Sequence, residues 1–158
     1  MVFKDLDNKI YKEKNSLNLM IQRNVVIAII LNNNNEVLLQ KKDLGHPWLP
    51  GKWCFFGGKL EEGSNSKDIL KEILKRKIGI EVDIIKFLKT SPYKIEHSKG
   101  IEEGEDYIYL CRFNGKLSDI KLDEGAGFAF LDKKELETIP ITKHSLKILK
   151  EYFESRGK

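Results

Sequence analysis

The sequence predicts an α/β (α+β) domain in which a mixed β-sheet is sandwiched between helices. Three observations carry this. A β-branched run over Asn24–Leu31 stops at four consecutive asparagines and resumes as a second apolar run over residues 36–40, the pattern of a hairpin. Over residues 66–78 the apolar side chains Ile69, Leu70, Ile73, Leu74 and Ile78 recur at helical spacing. A second amphipathic stretch, residues 142–153, gathers Leu146, Ile148, Leu149, Tyr152 and Phe153. Strands interleaved with helices in this order cover a sheet on both faces.

The elements follow in order. Residues 1–22 read as a polar leader ahead of a single domain over residues 23–158. Lys4, Asp5, Asp7, Lys9, Lys12, Glu13 and Lys14 leave no apolar stretch there for a signal peptide. After the hairpin, residues 45–51 are dense in Gly and Pro and predict an irregular loop, followed by a short strand over residues 53–56 that Gly57-Gly58 closes. Asn65 or Ser66 caps the first helix and Gly79 ends it. Three further strands are expected over residues 82–90, 107–113 and 127–131. Turns are expected at Pro92, between Gly100 and Gly104, and at Asn114-Gly115. Asp132 caps a short helix before the final one.

Composition bounds the function. With 158 residues, 41% hydrophobic and 33% charged, the chain suits one core, and at this length roughly two thirds of the unfolded surface is buried. Disorder, collagen and coiled coil are excluded. The longest apolar run, Val25 to Leu31, is far too short for a membrane-spanning helix. Cys54 and Cys111 sit in strand-like stretches and read as two buried, reduced thiols, which predicts a cytoplasmic protein without a membrane partner. The net charge is +4, from 24 Lys and 4 Arg against 24 acidic residues. Lysine is the weaker choice for bidentate phosphate or base recognition, so a nucleic-acid partner is left open and not favoured.

One segment carries more. Trp53-Cys54-Phe55-Phe56-Gly57-Gly58-Lys59-Leu60-Glu61-Glu62-Gly63, followed by a helix that ends at Ile78-Gly79-Ile80, resembles the Nudix (MutT-like) superfamily of diphosphate hydrolases. The family box reads Gly, five residues, Glu, seven residues, Arg-Glu-aliphatic, one residue, Glu-Glu, one residue, Gly-aliphatic. With Gly58 as its first glycine, the closing pair falls on Gly79 and Ile80 without a gap. Pro50-Gly51-Lys52-Trp53 upstream and Glu124-Gly125-Ala126-Gly127-Phe128-Ala129-Phe130 downstream extend the likeness to about residues 23–153. The resemblance implies the Nudix fold, and by descent a hydrolase of nucleoside diphosphate derivatives.

The box departs from the family where the chemistry lies. The first Glu position is Ser64, the Arg position Glu72, the next Glu position Ile73, and the Glu-Glu pair Arg76-Lys77. A register shifted by one recovers Glu72 as a carboxylate but leaves the pair basic, as Lys75-Arg76. Over residues 67–77 five cations oppose two carboxylates, a net +3 where the resemblance implies acidic ligands for divalent ions. Ile73 reads as added core. The sequence therefore predicts a Nudix protein with absent or reduced metal-dependent activity that retains a nucleotide or other small phosphate-containing ligand. No cofactor is expected.

Its ligand-binding candidates are Arg76, Lys77, Lys59 and Trp48, the last either stacking on a base or packing under its own loop. A first alternative is an active hydrolase with relocated groups. Glu72 and Glu124 would then be its catalytic candidates, Glu61, Glu62 and Glu124 its ligands, and Mg²⁺ or Mn²⁺ its metal. A second is a non-catalytic protein- or RNA-interaction module on the same scaffold. Glu102, Glu103, Glu105 and Asp106 read as a solvated acidic loop, and His97 and His144 have no recognisable partner in the sequence.

Overall fold

The computed structural model describes residues 2–4, 10–14, 18–47, 49–97 and 100–156. Among them ten strands join one mixed sheet. They are β1 (Val2–Lys4), β2 (Ile10–Lys14), β3 (Asn18–Gln22), β4 (Asn24–Leu31), β5 (Val37–Lys41), β6 (Trp53–Cys54), β7 (Phe56–Leu60), β8 (Asp83–His97), β9 (Gly100–Arg112) and β10 (Gly127–Leu131). The helices are α1 (Ser66–Ile78), α2 (Lys133–Leu136) and α3 (Lys143–Arg156).

β4 is the centre. It runs parallel to β9 from Val25↔Asp106 to Leu31↔Arg112 and antiparallel to β7 from Asn24↔Leu60 to Ala28↔Phe56. Its near-continuous apolar run follows from burial on both faces. Val26, Ala28 and Ile30 join one core cluster with Leu70, Ile73, Leu74 and Ile78 of α1. Ile27, Ile29 and Leu31 join a second with Ile148, Leu149 and Tyr152 of α3. The period of two thus divides one strand between two cores, and the sheet lies between helices as the pattern implied. No helix of the described residues is long and apolar enough to cross a membrane.

Local signals set the ends of α1. Asn65 accepts from the Asp68 N–H through its side chain, and Gly79 adopts the left-handed conformation at φ 67° while its N–H bonds the Lys75 carbonyl. The Asn32–Asn35 turn closes the β4–β5 hairpin, with the Asn32 side chain accepting from the Glu36 and Asn34 N–H groups. Asp132 and Glu135 form a reciprocal capping box on α2.

Several expectations are corrected. Pro92 and the stretch from Gly100 to Gly104 are not turns but lie inside β8 and β9, which pair over nearly their whole length. Among the described residues β8 is bonded on one flank only, so a residue without an N–H is tolerated there. Gly57 and Gly58 do not close a strand; they lie within β7. A Cβ on Gly57 would meet the Val26 carbonyl at 2.3 Å, so the close β7–β4 approach requires a glycine. Glu102 and Asp106 are not in a solvated loop; they are buried in β9 at 7% and 1% exposure. The stretch expected as a leader contributes β1 to β3, and β3 pairs in parallel with the first residues of β9, Leu19↔Gly100 to Gln22↔Glu103.

Candidate functional site

The box segment is the junction of β7 with α1. Gly58 faces the helix, where a Cβ would lie 2.9 Å from Ile73 Cδ1. Ile73 is 4% exposed, one turn from Leu70 and alongside Leu74 and Phe56 in the core. The residue at the family's central glutamate position is therefore the apolar plug that seats α1 on β7.

Lys77 lies one turn further along α1. Its ammonium donates to the Gly57 carbonyl at 2.7 Å, bridging the last turn of the helix to the strand. Arg76 beside it is exposed, as are Glu72, Lys71 and Lys75. Ser64 is half-buried in the turn before the helix, where its N–H bonds the Glu61 carbonyl. Lys59 pairs with Glu61 at 3.0 Å, with side-chain exposures of 33% and 67%. Glu62 and Glu124 are both exposed, Glu124 in the loop before β10. Trp48 lies outside the described residues. Its neighbour His46 accepts from the Leu49 N–H through Nδ1 at 3.0 Å, which orders that part of the loop.

The structure thus brings Gly58, Ile73 and Lys77 together at the β7–α1 junction, sets Lys59 on the other face of β7, in the row of Val25 under α3, and leaves Glu72 and Glu124 on open surface. Among the described residues no three or more His, Cys, Asp or Glu side chains form a group that could hold a metal ion. Cys54, on β6 beside this junction, is free and half-buried. Burial pushes its thiol above the ordinary range, and the charges of Lys42 and Lys77 partly offset this. Cys111 in the core is pushed up to about 12 by burial.

A second polar cluster, in which carboxylates expected in a solvated loop meet a histidine for which the sequence offers no partner, lies on the sheet face that α3 covers. His144, in the first turn of α3, meets Asp106 of β9 with Nε2 2.8 Å from Oδ2. The Tyr93 ring of β8 lies 5.0 Å from the His144 ring. Its hydroxyl sits 2.9 Å from Glu102 Oε2 and 2.7 Å from the Arg23 carbonyl, one proton shared by two acceptors. Burial, then the adjacent Glu102, raise the Tyr93 phenol well above its usual range. His97, the other histidine left without a partner, has a side chain outside what the structure describes.

A family model described as NUDIX domain matches residues 20–152. Among solved structures, a MutT protein from Methanosarcina mazei aligns with a TM-score of 0.64 at 18% identity, over 88% of this chain and 97% of that one. The NUDIX domain of Shewanella oneidensis NrtR, solved with ADP ribose, aligns at 0.67 and 16%, covering 85% and 88%. The E. coli dihydroneopterin triphosphate pyrophosphohydrolase aligns at 0.63 and 12%, covering 84% and 97%. At these identities the likeness is one of fold. No curated protein matches the chain.

Proposed function

The chain belongs to the Nudix family, and from that premise we propose that it binds a nucleotide or related phosphate-containing ligand at the box with metal-dependent hydrolysis lost or much reduced. The observation that carries this reading is the Lys77 ammonium held on the Gly57 carbonyl beside Ile73 packed on Gly58. The family pattern implies carboxylates at both positions. Here one is apolar core and the other a fixed cation.

The residues present do not suit a divalent ion. An ammonium and a guanidinium near such an ion at contact range raise its energy by several kcal/mol, even at an effective dielectric near 20. The same charges favour a phosphate, and Lys59 adds a third cation from the other face of β7. Binding of this kind stabilises the ground state and activates no water, so it suits a binder better than a hydrolase. A Nudix domain of the same fold holds ADP ribose, which supports a nucleotide-type ligand.

The test is a panel of nucleoside diphosphate derivatives, with Mg²⁺ or Mn²⁺, read for both product and thermal shift. A ligand at 100 times its dissociation constant adds about 2.7 kcal/mol of stability. Expected are melting shifts without turnover, weakened by Arg76→Glu with Lys77→Glu. Metal-dependent turnover abolished by Glu124→Gln would instead establish the relocated site. Salt-dependent binding of single-stranded RNA, with no nucleotide shifting the melt, would establish the interaction module.

A further inference from the structure

The Asp106–His144 pair is built like a ligand contact and has no part in the box. Asp106 is 1% exposed, and among the described residues its Oδ1 has no hydrogen-bond partner. The contact that Asp106 does make is Oδ2 to His144 Nε2 at 2.8 Å. An acceptor there keeps the proton of the neutral ring on Nε2, and so fixes Nδ1 as a bare acceptor.

Nδ1 has no partner among the described residues, and the His144 side chain keeps 19% of its surface exposed. The ring is clamped from the other side by Tyr93, itself anchored on Glu102 and the Arg23 carbonyl. A ring held on two sides with one nitrogen open is preorganised to receive a donor.

Its position ties it to the box. Lys59 pairs with Val25, and Val25 with Asp106, so the three residues share one row across the sheet. Two strand spacings put Lys59 and Asp106 backbones about 10 Å apart. Val25 packs in the cluster under α3, which sets the face to which this row points. The start of α3 is bonded to the strand leading into the box, through the Thr142 N–H to the Trp53 carbonyl at 3.0 Å and the Phe55 N–H to Ser145 Oγ at 3.4 Å.

The geometry points to His144 as the residue that reads the nucleoside part of the ligand, accepting through Nδ1 from a ribose hydroxyl or a base N–H, with Asp106 as its positioning residue. This rests on the nucleotide-binding reading and deepens it: the box cations take the phosphates, Lys59 among them from the face that α3 covers, and His144 on that same face selects what the phosphates are attached to. Inorganic pyrophosphate satisfies the first set and not the second.

Calorimetric titration separates them. ADP is expected to bind His144→Ala about tenfold more weakly than the unaltered protein, a single lost hydrogen bond, while pyrophosphate binds both equally. ADP lacking both ribose hydroxyls and ADP dimethylated on its base amine identify the donor. Whichever binds the unaltered protein more weakly than ADP loses that handicap in His144→Ala.

Asp106→Asn donates an N–H to Nε2 and drives the ring proton to Nδ1. It is expected to weaken ADP, spare pyrophosphate, and exchange the NMR signals of the two imidazole nitrogens. Equal ADP affinity in His144→Ala, or a proton found on Nδ1 of the unaltered protein, overturns this inference alone. Failure of the unaltered protein to bind any of these ligands overturns the nucleotide reading and this inference with it.

Discussion

Replacing Ile73 by glutamate restores the family residue at its position, and the structure predicts that the protein will not accept it. Ile73 is 4% exposed and lies against Gly58 so closely that a Cβ there would sit 2.9 Å from its Cδ1. Losing its apolar burial costs about 1.5–3 kcal/mol. A carboxyl left among Leu70, Leu74 and Phe56 without a partner adds about 1–3 kcal/mol. A total near 4 kcal/mol is a large part of the 5–15 kcal/mol typical of a domain.

Urea unfolding reads it directly. With a slope of about 2 kcal/mol/M, Ile73→Glu lowers the midpoint by roughly 2 M, whereas Ile73→Leu, which conserves volume, costs under about 1.5 kcal/mol. Millimolar Mg²⁺ is expected to restore nothing, because Arg76 and Lys77 remain. A loss under about 1 kcal/mol, or a midpoint that Mg²⁺ raises in the single variant, would refute the placement of Ile73 in the core or the incompatibility with an ion.

Three further outcomes follow from neighbouring contacts. Lys77→Met removes a charge-assisted bond to the Gly57 carbonyl and is expected to cost about 1.5–3 kcal/mol by the same assay; a neutral result would mean that the bridge is not formed in solution. Gly58→Ala forces its new methyl into Ile73, so a double-mutant cycle with Ile73→Val should show the second change partly rescuing the first, and simple additivity would contradict that contact. Cys111 is held protonated by burial, with its thiol pushed up to about 12 from 9.0. Folded and unfolded chains bind the same proton below pH 9; above it only the unfolded chain releases one. The Cys111 contribution to stability should then fall between pH 9 and 12 by on the order of 1 kcal/mol per pH unit, beside those of Cys54 and Tyr93, and a Cys111→Ala variant with an unchanged slope would remove this thiol as a cause.

What the sequence disclosed and what it hid have separate physical origins. The bounds of α1 were readable because a cap, a spacing and a left-handed glycine act within a few residues of one another. The β4–β5 hairpin was readable for the same reason. β8 and β9 were expected to be far shorter, since Pro92 and Gly104 look like breakers; each is tolerated through a long-range circumstance, an unpaired flank in one case and the Arg23 carbonyl in the other. Asp106, Glu102 and His144 gave no local signal, because a carboxylate in sequence looks solvated until α3 and β8 bring it partners. At the box the residue types were legible, and Ile73 is core as its spacing implied. The role of Lys77 was not, since charge alone does not say which carbonyl an ammonium will meet.

The tandem alignment of β3 and β4 along one flank of β9 has a practical consequence. They lie end to end like two halves of a splint, with Arg23 at the joint, where its carbonyl comes within 1.9 Å of any Cβ placed on Gly104. A recombinant fragment trimmed to begin at Asn24 would keep the core strand yet strip the cover from the β9 backbone at Gly100–Glu103. It would also remove the Arg23 carbonyl on which Tyr93 rests. The exposed hydrogen-bonding edge would be open to pairing between chains, so such a fragment should show its defect first as self-association.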